Sequence, residues 1–277
     1  MLHLILTRFN LRIWAEDKNG NQTFTDEWLR ERVILFETYC LPSIMAQTCK
    51  DFKWVILFDE ETPEWLVEKI RLWRDDLPQI MAISVRRGSP GMFRRIFREV
   101  AISEADCRGG RLLTTSLDND DALSCDFVEK IQQKAKQLDS GTFISYRYGI
   151  QYFTGMKLAL SLPCTYNHFA SYVEDYEKPE DIRTFFRLNA HSHLKNVPHD
   201  EIVIVDNTEE PMWLEIVHTS NRSNDVHMAV RLHLITDSGM LEQTFGVKGV
   251  ELSTHPWRIF CSQYIPRFFR QLKRRLI

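Results

Sequence analysis

One stretch decides the fold: Arg111-Leu112-Leu113-Thr114-Thr115-Ser116-Leu117-Asp118-Asn119-Asp120-Asp121. Its apolar first part predicts a buried strand, and the residues from Ala122 onward are typical of the start of a helix. Three carboxylates therefore follow the end of a strand, where open α/β sheets bind their ligands. Such crowded like charges need a counter-charge, which a divalent cation with oxygen ligands would supply. An acidic turn whose aspartate caps the helix is the simpler alternative.

The neighbours of this cluster disfavour two other uses of it. A calcium loop would take Asp118, Asp120 and Glu129 at its first, third and twelfth positions. Leu123, however, replaces the glycine that the sixth position needs. Ala122 offers no side-chain ligand at the fifth position, and it also replaces the threonine of a D-x-D-x-T phosphatase.

The composition is that of an ordinary globular protein. The 277 residues are 44% hydrophobic and 26% charged, with a formal net charge of -3, so nothing predicts a general attraction to nucleic acid. No apolar run approaches the roughly 20 residues of a membrane span, and the first residues lack the features of a signal peptide. Six scattered cysteines without a CxxC pair are typical of reduced thiols. We therefore expect a cytoplasmic protein.

Strands and helices alternate up to about residue 140. Strands are predicted at 2–7, 54–58, 80–85 and 111–117. Helices are predicted at 27–39 (ending near Pro42), from Pro63, at 92–101 and at 122–138. This alternation is typical of an α/β fold with a mostly parallel sheet and right-handed crossovers. It predicts that residues 1–140 form the half that binds a nucleotide.

The pattern changes after residue 140. Four further strands are predicted, at 142–146, 150–153, 202–205 and 212–217. The first two would meet at a turn near Gly149, while 166–181 and 189–199 have the composition of loops and short helices. Neither a repeat nor a low-complexity linker divides the chain. We expect one domain with an irregular second half, 141–262, and a basic tail, 263–277.

Five segments carry a resemblance to known proteins. They are Thr7-Arg8-Phe9-Asn10, Pro42-Ser43-Ile44-Met45-Ala46-Gln47-Thr48, Trp54 to Asp59, Arg94-Arg95-Ile96-Phe97-Arg98 and Leu117-Asp118-Asn119-Asp120-Asp121. In this order they resemble the GT-A glycosyltransferases, and most closely the bacterial rhamnosyltransferase family, over most of the chain. The combined pattern is fairly specific for the fold and much less specific for the sugar.

The resemblance implies a GT-A-type single domain, with a mostly parallel central sheet flanked by helices and an acceptor-binding second half. It implies a metal-dependent glycosyltransferase that moves a sugar, with inversion, from a nucleotide donor to a saccharide or lipid-linked saccharide. The candidate donor is dTDP-rhamnose. The alternative is a GT-A-like protein that binds a nucleotide or saccharide without turnover, but the DxD and a downstream histidine favour catalysis.

A nucleotide-sugar donor presents a pyrimidine, a ribose and a diphosphate. Asp59, at a strand end, is a candidate to accept a hydrogen bond from the base N3–H, unless it only begins a turn. Arg8 and Asn10 follow the first strand, and arginine offers forked donors to phosphate or base. Arg94 and Arg98 share one face of a basic helix at i,i+4 spacing. The nucleotide-binding candidates are Thr7, Arg8, Asn10, Asp59, Arg94, Arg98 and, for the ribose, Asp118.

The resemblance assigns the metal, Mn²⁺ or Mg²⁺, to Asp120 and to a histidine far downstream. His218 follows an apolar strand and matches that position, although a lone histidine at a strand end is more often structural. Asp121 would orient its neighbours or cap the next helix. His191 and His193 suggest a zinc pair, but no cysteine or third histidine stands at ligand spacing, so a loop is favoured.

An inverting transferase needs a general base for the acceptor hydroxyl. Glu174 and Asp175 follow an aromatic segment, where desolvation would raise a carboxylate pKa usefully. We prefer Glu174 of the two. A solvated acidic stretch before Pro179 is the alternative for either residue.

The tail is strongly basic and amphipathic. Phe268, Leu272 and Leu276 recur at i, i+4 and i+8, with the cations on the opposite side. This is the pattern of an interfacial helix on anionic lipid, which would give peripheral contact with the inner face of the membrane. A helix docked on its own domain is an equal alternative.

Overall fold

The computed structural model describes residues 1–13, 22–86, 91–188, 191–207, 210–218 and 232–276. The side chains of residues 191–193 are not among those described, so the suggested zinc pair lies outside the description.

Four parallel strands form one end of a seven-stranded sheet, in the order β4-β1-β2-β3. They are β1 (Leu2–Arg8), β2 (Lys53–Asp59), β3 (Ile80–Val85) and β4 (Gly110–Ser116). The helices of this half are α1 (Asp26–Leu35), α2 (Leu41–Met45), α3 (Glu64–Asp76) and α4 (Met92–Glu104). The predicted strands and their mostly parallel arrangement are confirmed.

Helices cover both faces of this parallel part. Successive residues of a strand point to opposite faces, and β1 follows the rule. Leu4 and Leu6 belong to the cluster that contains Phe97 of α4, whereas Ile5 belongs to the main core with Val33 of α1. Burial on both faces explains why β1 and β2 are continuous apolar runs.

The first helical segment runs past Pro42, where the sequence predicted its end. A π-helical turn at Phe36–Cys40 links α1 directly to α2, and the N–H of Leu41 donates to the carbonyl of Phe36. The hydrogen-bond ladder is already displaced at this turn. The missing N–H of Pro42 therefore interrupts little.

A short strand replaces the predicted start of the helix after the acidic cluster. β5 (Ala122–Leu123) pairs antiparallel with Leu214 and Trp213, and α5 (Phe127–Ala135) begins only after Asp126. The prediction of a helix from Ala122 was therefore wrong. The pairing partners lie some ninety residues downstream, so local sequence carries no sign of them.

A strand also replaces the loops predicted at 166–181. β9 (Ser171–Tyr176) lies antiparallel between β4 and β6 (Thr142–Tyr146), and β10 (Ile202–Val205) is parallel to β6 at the sheet edge. The loop prediction was wrong because Ser171, Glu174 and Asp175 make the strand look polar. The buried Ser171 hydroxyl is 2.7 Å from that of Thr115 on β4, so its polarity is satisfied within the sheet.

The second half contains a five-stranded, mostly antiparallel sheet in the order β12-β8-β7-β11-β5. Its further strands are β7 (Tyr148–Phe153), β8 (Leu158–Pro163), β11 (Trp213–Val217) and β12 (His233–Ile235). This half is more regular than predicted. Gly149 lies inside β7 and not at the predicted turn. Glycine is needed there because a Cβ would lie 2.0 Å from the Trp213 ring.

The chain ends in helices packed on the core. They are α6 (Ser238–Phe245), α7 (Pro256–Ile259), a π turn at Phe260–Tyr264 and α8 (Ile265–Leu276). Tyr264 is buried and Phe268 packs against the main core. Phe268 therefore faces its own domain, as the docked alternative predicted. No helix among the described residues is both long and apolar enough to cross a membrane.

Candidate active site

The acidic cluster lies between β4 and β5, beside the end of β1. The N–H of Leu117 donates to the carbonyl of Leu6, and the Asn119 side chain donates to the carbonyl of Phe9. These bonds fix the segment 118–121 against the carboxyl ends of two adjacent parallel strands. The site therefore has the predicted position at the sheet edge.

Arg8 partners the first carboxylate of the cluster. Its guanidinium Nη2 lies 3.3 Å from Asp118 Oδ1, and it also stacks over the Phe93 ring at 4.9 Å. The Asp118 side chain keeps about a third of its surface exposed. The sheet thus brings together two residues that the sequence separately assigned to the nucleotide.

Two basic groups meet the second carboxylate at one oxygen. Asp120 Oδ2 lies 2.9 Å from Arg32 Nη1 of α1 and 2.9 Å from His218 Nε2 at the end of β11. Burial raises the pKa of Asp120, but Arg32 and His218 outweigh it and hold the pKa well below its usual range. Asp120 is therefore an ionised, buried carboxylate. Arg32, which the sequence analysis missed, is its counter-charge.

The third carboxylate joins the two sheets. Asp121 is fully buried, its Oδ2 lies 2.7 Å from His168 Nε2, and its Oδ1 accepts a hydrogen bond from the N–H of Ile216 in β11. Burial and Asp120 raise the pKa of Asp121, and His168 offsets part of this rise. Burial lowers the pKa of His168, but the hydrogen bond to Asp121 and the negative charges of Asp121, Glu215 and Asp118 together raise it above its usual value. The pair therefore retains a proton at neutral pH, and Asp121 does not cap α5.

The donor set of the cluster fits a divalent cation in two ways. Asp120 Oδ2 and His218 Nε2 are 2.9 Å apart, and two ligands at right angles around an ion with bonds of about 2.1 Å would lie about 3 Å apart. In the second group, the ligand atoms of Asp118, Asp121 and His168 all lie within 4.8 Å of one another. Existing partners occupy both groups: Arg32 and His218 share Asp120 Oδ2, and both oxygens of Asp121 have partners.

A pocket of about 180 Å³ adjoins the ends of β1 and β2. It is lined by Asn10, Arg12, Phe24, Asp26, Leu29, Asp59, Glu61 and Pro63. Asp59 is buried, and its Oδ1 accepts from the N–H of Glu61 and lies 3.5 Å from Arg12 Nε. Asn10 accepts from the N–H of Asp59 and donates to Thr62. Asp59 therefore both begins a turn and lines the pocket, and Asn10 braces that turn.

Three other nucleotide candidates make contacts within the protein in this structure. Thr7 is buried and accepts a hydrogen bond from the Trp54 indole N–H at 2.9 Å. Arg98 donates to the backbone carbonyls of Ile182 and Glu180. The Arg94 guanidinium lies over the Phe93 ring, at 5.5 Å.

The structure does not bring the proposed bases to the cluster. Glu174 lies opposite Leu112 in the sheet register, and the extended chain from Leu112 to Asp118 spans about 20 Å. Its carboxylate accepts from the N–H groups of Arg183 and Thr184, at 3.2 and 2.8 Å for Oε1. Burial raises the pKa of Glu174, as expected, and these N–H groups offset part of the rise. Glu174 is therefore placed as a cap for the turn at 182–184.

Asp175 is also turned away from the cluster. It points to the other face of β9, where its half-exposed carboxylate lies 3.3 Å from Arg111 Nε. Sequence reasoning thus placed both acids in a loop near the acceptor, whereas pairing with β4 draws them toward the amino end of that strand.

Three solved structures are distantly similar to the chain. Two structures of S. aureus TarS 1-349 share 10% identity with the chain. In the first, the match covers 78% of this chain and 60% of the TarS chain, with a TM-score of 0.40. The other, in complex with UDP-GlcNAc, covers 82% and 62%, with a TM-score of 0.42. A structure described as a "putative nucleotide-diphospho-sugar transferase" from Desulfovibrio desulfuricans G20 shares 11% identity, covers 80% and 84%, and has a TM-score of 0.39. The chain thus spans about 60% of the TarS fragments.

The family follows from the sequence itself. Residues 4–230 match the family described as "Putative rhamnosyl transferase". The chain belongs to this family, which confirms the resemblance found in the sequence. No curated protein matches the chain.

Proposed function

We propose that the protein transfers a sugar from a nucleoside diphosphate donor to a saccharide acceptor, with inversion. The observation that carries the proposal is the acidic cluster, with its Arg8, Arg32 and His218 partners, at the carboxyl edge of the parallel strands. Family membership over residues 4–230 favours rhamnose as the sugar and dTDP-rhamnose as the donor.

The donor would lie along the edge from the pocket to the cluster. Asp59, in the pocket wall, is our candidate acceptor for the N3–H of the base, since its second oxygen adds an acceptor beyond those used in the turn. Asp118, with its partly exposed carboxylate, would accept from the ribose hydroxyls. Arg8 lies between them and offers forked donors to the diphosphate.

A divalent cation, Mn²⁺ or Mg²⁺, would be held by Asp120 and His218. When bound, it would stabilise the negative charge of the diphosphate. It would also replace Arg32 as the partner of the shared Asp120 oxygen. Arg32 would then be able to turn its guanidinium toward the same diphosphate.

The acceptor would bind to the second half of the chain, residues 141–262. The base for its hydroxyl is not assigned, because Glu174 and Asp175 lie away from the cluster. This placement is also the observation that favours a second candidate function, a nucleotide- or saccharide-binding protein without turnover. Consumption of a donor distinguishes the two functions.

The test is a screen of nucleotide sugars for hydrolysis and transfer, with dTDP-rhamnose and UDP sugars in the panel. Thermal stabilisation by dTDP or UDP, with and without Mn²⁺, measures the donor site separately. We expect one donor to be consumed, and we expect nucleotide and Mn²⁺ to stabilise the protein synergistically. Binding without consumption of any donor would support the second candidate.

Two histidine variants locate the metal. We expect His218→Ala, like Asp120→Asn, to lower Mn²⁺ affinity at least about tenfold, and His168→Ala to lower it much less. Mn²⁺ affinity is measured by titration calorimetry on variants whose folding is checked by circular dichroism. The reverse order would assign the ion to Asp118, Asp121 and His168.

A further inference from the structure

The last 26 residues, 252–277, differ in charge from the rest of the chain. They contain six basic residues and no acidic one: Arg258, Arg267, Arg270, Lys273, Arg274 and Arg275. The whole chain has a formal net charge of -3, so the other 251 residues carry -9. This segment therefore has a net positive charge in an otherwise acidic chain, and its basic residues lie on the unit that runs from α7 through the π turn to α8.

One side of this unit is fixed on the protein core. Phe260 stacks on Tyr264 with ring centroids 5.1 Å apart, and Tyr264 meets Phe153 of β7 edge to face at 5.5 Å. Phe268, one further turn along, packs against the same core, and the guanidinium of Arg267 lies over Phe153. Because these contacts set the rotation of the unit, its opposite side has a defined composition.

The opposite side combines aromatic and basic residues. Trp257 is 67% exposed and Phe269 is 59% exposed, among the most exposed large hydrophobic side chains in the described part of the chain. Arg258, Arg270 and Lys273 are exposed beside them. Phe269, Arg270 and Lys273 fall on one face of α8 by helical spacing. The 21 residues from Pro256 to Leu276 extend over about 30 Å.

We propose that this outer face of α7 and α8 binds the surface of an anionic lipid bilayer. Aromatic side chains would enter the headgroup region, where tryptophan is favoured, while lysine and arginine meet the lipid charge. The absence of any acidic residue from 252–277 fits a negatively charged partner of this extent. The sequence pattern alone had directed Phe268 to the lipid. In the structure that residue faces the core, and Trp257 and Phe269 take the outer positions.

Flotation of the full chain with vesicles tests the proposal. We expect binding to mixed phosphatidylglycerol–phosphatidylcholine vesicles, much weaker binding to phosphatidylcholine alone, and loss of binding as salt increases. The double variant Arg270→Gln/Lys273→Gln should bind about 25-fold more weakly, since each basic residue contributes about fivefold. Trp257→Ala/Phe269→Ala should also reduce binding about tenfold or more.

A matched control comes from α3. Val67 and Leu72 are 51% and 47% exposed, and Val67→Ala/Leu72→Ala should leave vesicle binding unchanged. Far-UV circular dichroism and nucleotide binding should be the same in all variants, which separates this surface from the donor site. Equal binding by control and test variants would overturn the proposal. So would self-association that Trp257→Ala/Phe269→Ala abolishes, because the face would then bind a second copy of the chain.

Discussion

At Asp120, the ion pair with Arg32 and the proposed binding of a divalent cation compete for the same carboxylate oxygen. Without a metal, Arg32 and His218 share its Oδ2, and the carboxylate is almost wholly buried. A buried charge that loses its partner costs several kcal/mol. Arg32 thus supplies the counter-charge that the sequence alone would have sought in a metal. A cation at the same oxygen would take over this role.

Replacing Arg32 should therefore reveal whether a cation competes with it for Asp120. We expect Arg32→Gln to lower the free energy of unfolding by about 3 kcal/mol, because the buried Asp120 carboxylate loses the Arg32 cation. Mn²⁺ should then raise the melting temperature of the variant more than that of the wild type. Thermal unfolding with and without Mn²⁺ measures both effects.

The control for this experiment is Arg30→Gln on the same helix. Arg30 pairs with Asp26, and both side chains are at least half exposed. Its loss should cost less than about 1 kcal/mol and should not alter the response to Mn²⁺. An Arg32→Gln variant that responds to Mn²⁺ as the wild type does would rule out a shared position.

Glu174 now carries a prediction about stability. It accepts the N–H groups of Arg183 and Thr184, and Thr184 has a φ of 65°, a left-handed conformation that is unfavourable for a β-branched residue. Glu174→Gln would place an NH₂ group against these donors. We expect a loss of about 3 kcal/mol in the free energy of unfolding.

Asp175→Asn is the matched change on the exposed side of the same strand. It should cost no more than about 0.5 kcal/mol. Urea unfolding compares the two variants, and donor turnover per folded molecule should remain near normal in both. A stable Glu174→Gln protein whose turnover falls by 10² or more would return Glu174 to the role of general base.

The candidate site was partly predictable from sequence for a physical reason. Asp118 and Asp120 follow a strand that can be recognised locally, so their place at the sheet edge was foreseen. Arg32 and His168 were missed because their partners lie 88 and 47 residues away. Arg32 did leave one signal, Trp28 at i−4, over whose ring its guanidinium stacks at 5.2 Å. Such a stack orients the Arg32 side chain but does not identify its acidic partner.

The sequence predicted β1 to β4, β6, β7, β10 and β11, but it did not predict β5, β8, β9 and β12. β1 and β2 are buried along most of their length, and most of their residues are apolar. β9 has a buried glutamate with its own backbone donors, and β5 has only two residues. Such strands exist because distant partners pair with them. A single sequence does not contain that information.

The pairing of β7 with β11 makes Gly149 a sensitive position. A Cβ there would lie 2.0 Å from the Trp213 ring, and the ring is fully buried with its N–H bonded to the Tyr146 carbonyl. We expect Gly149→Ala to lower the free energy of unfolding by about 3 kcal/mol, since the indole must move. Denaturant unfolding provides the measurement.

Gly155→Ala provides the comparison. A Cβ at Gly155 would have no atom within 4 Å, and its φ is not positive. Its effect should stay within about 0.5 kcal/mol. Similar losses for the two variants would mean that the Trp213 ring adapts.

The stability of the whole chain should depend on pH through His3. This side chain is fully buried on β1, between the Thr115 hydroxyl and the Gln132 amide. Burial lowers the pKa of His3 from 6.5 to about 3. The unfolded chain therefore binds a proton between these values that the folded chain does not bind. Stability is retained above about pH 6.5 and falls toward pH 3.

The slope of the free energy of unfolding against pH tests whether His3 is the titrating group. One proton taken up on unfolding lowers the free energy of unfolding by about 1.4 kcal/mol per pH unit in that window. Urea unfolding at several pH values should show this decrease in the wild type. In His3→Gln the decrease should be smaller by about 1.4 kcal/mol per pH unit. Parallel curves for wild type and variant would mean that His3 accepts its proton inside the fold.

The insertion of β9 beside β4 has a consequence for synthesis on the ribosome. Thr115 meets Ser171, which is made 56 residues later. At the usual rate of chain growth, about 5 to 20 residues per second, the outer edge of β4 waits roughly 3 to 11 s for its neighbour. During that interval the emerging chain presents a row of unpaired N–H and carbonyl groups along an apolar strand. One interval of exposure to chaperones and to aggregation thus falls between the completion of β4 and the arrival of β9.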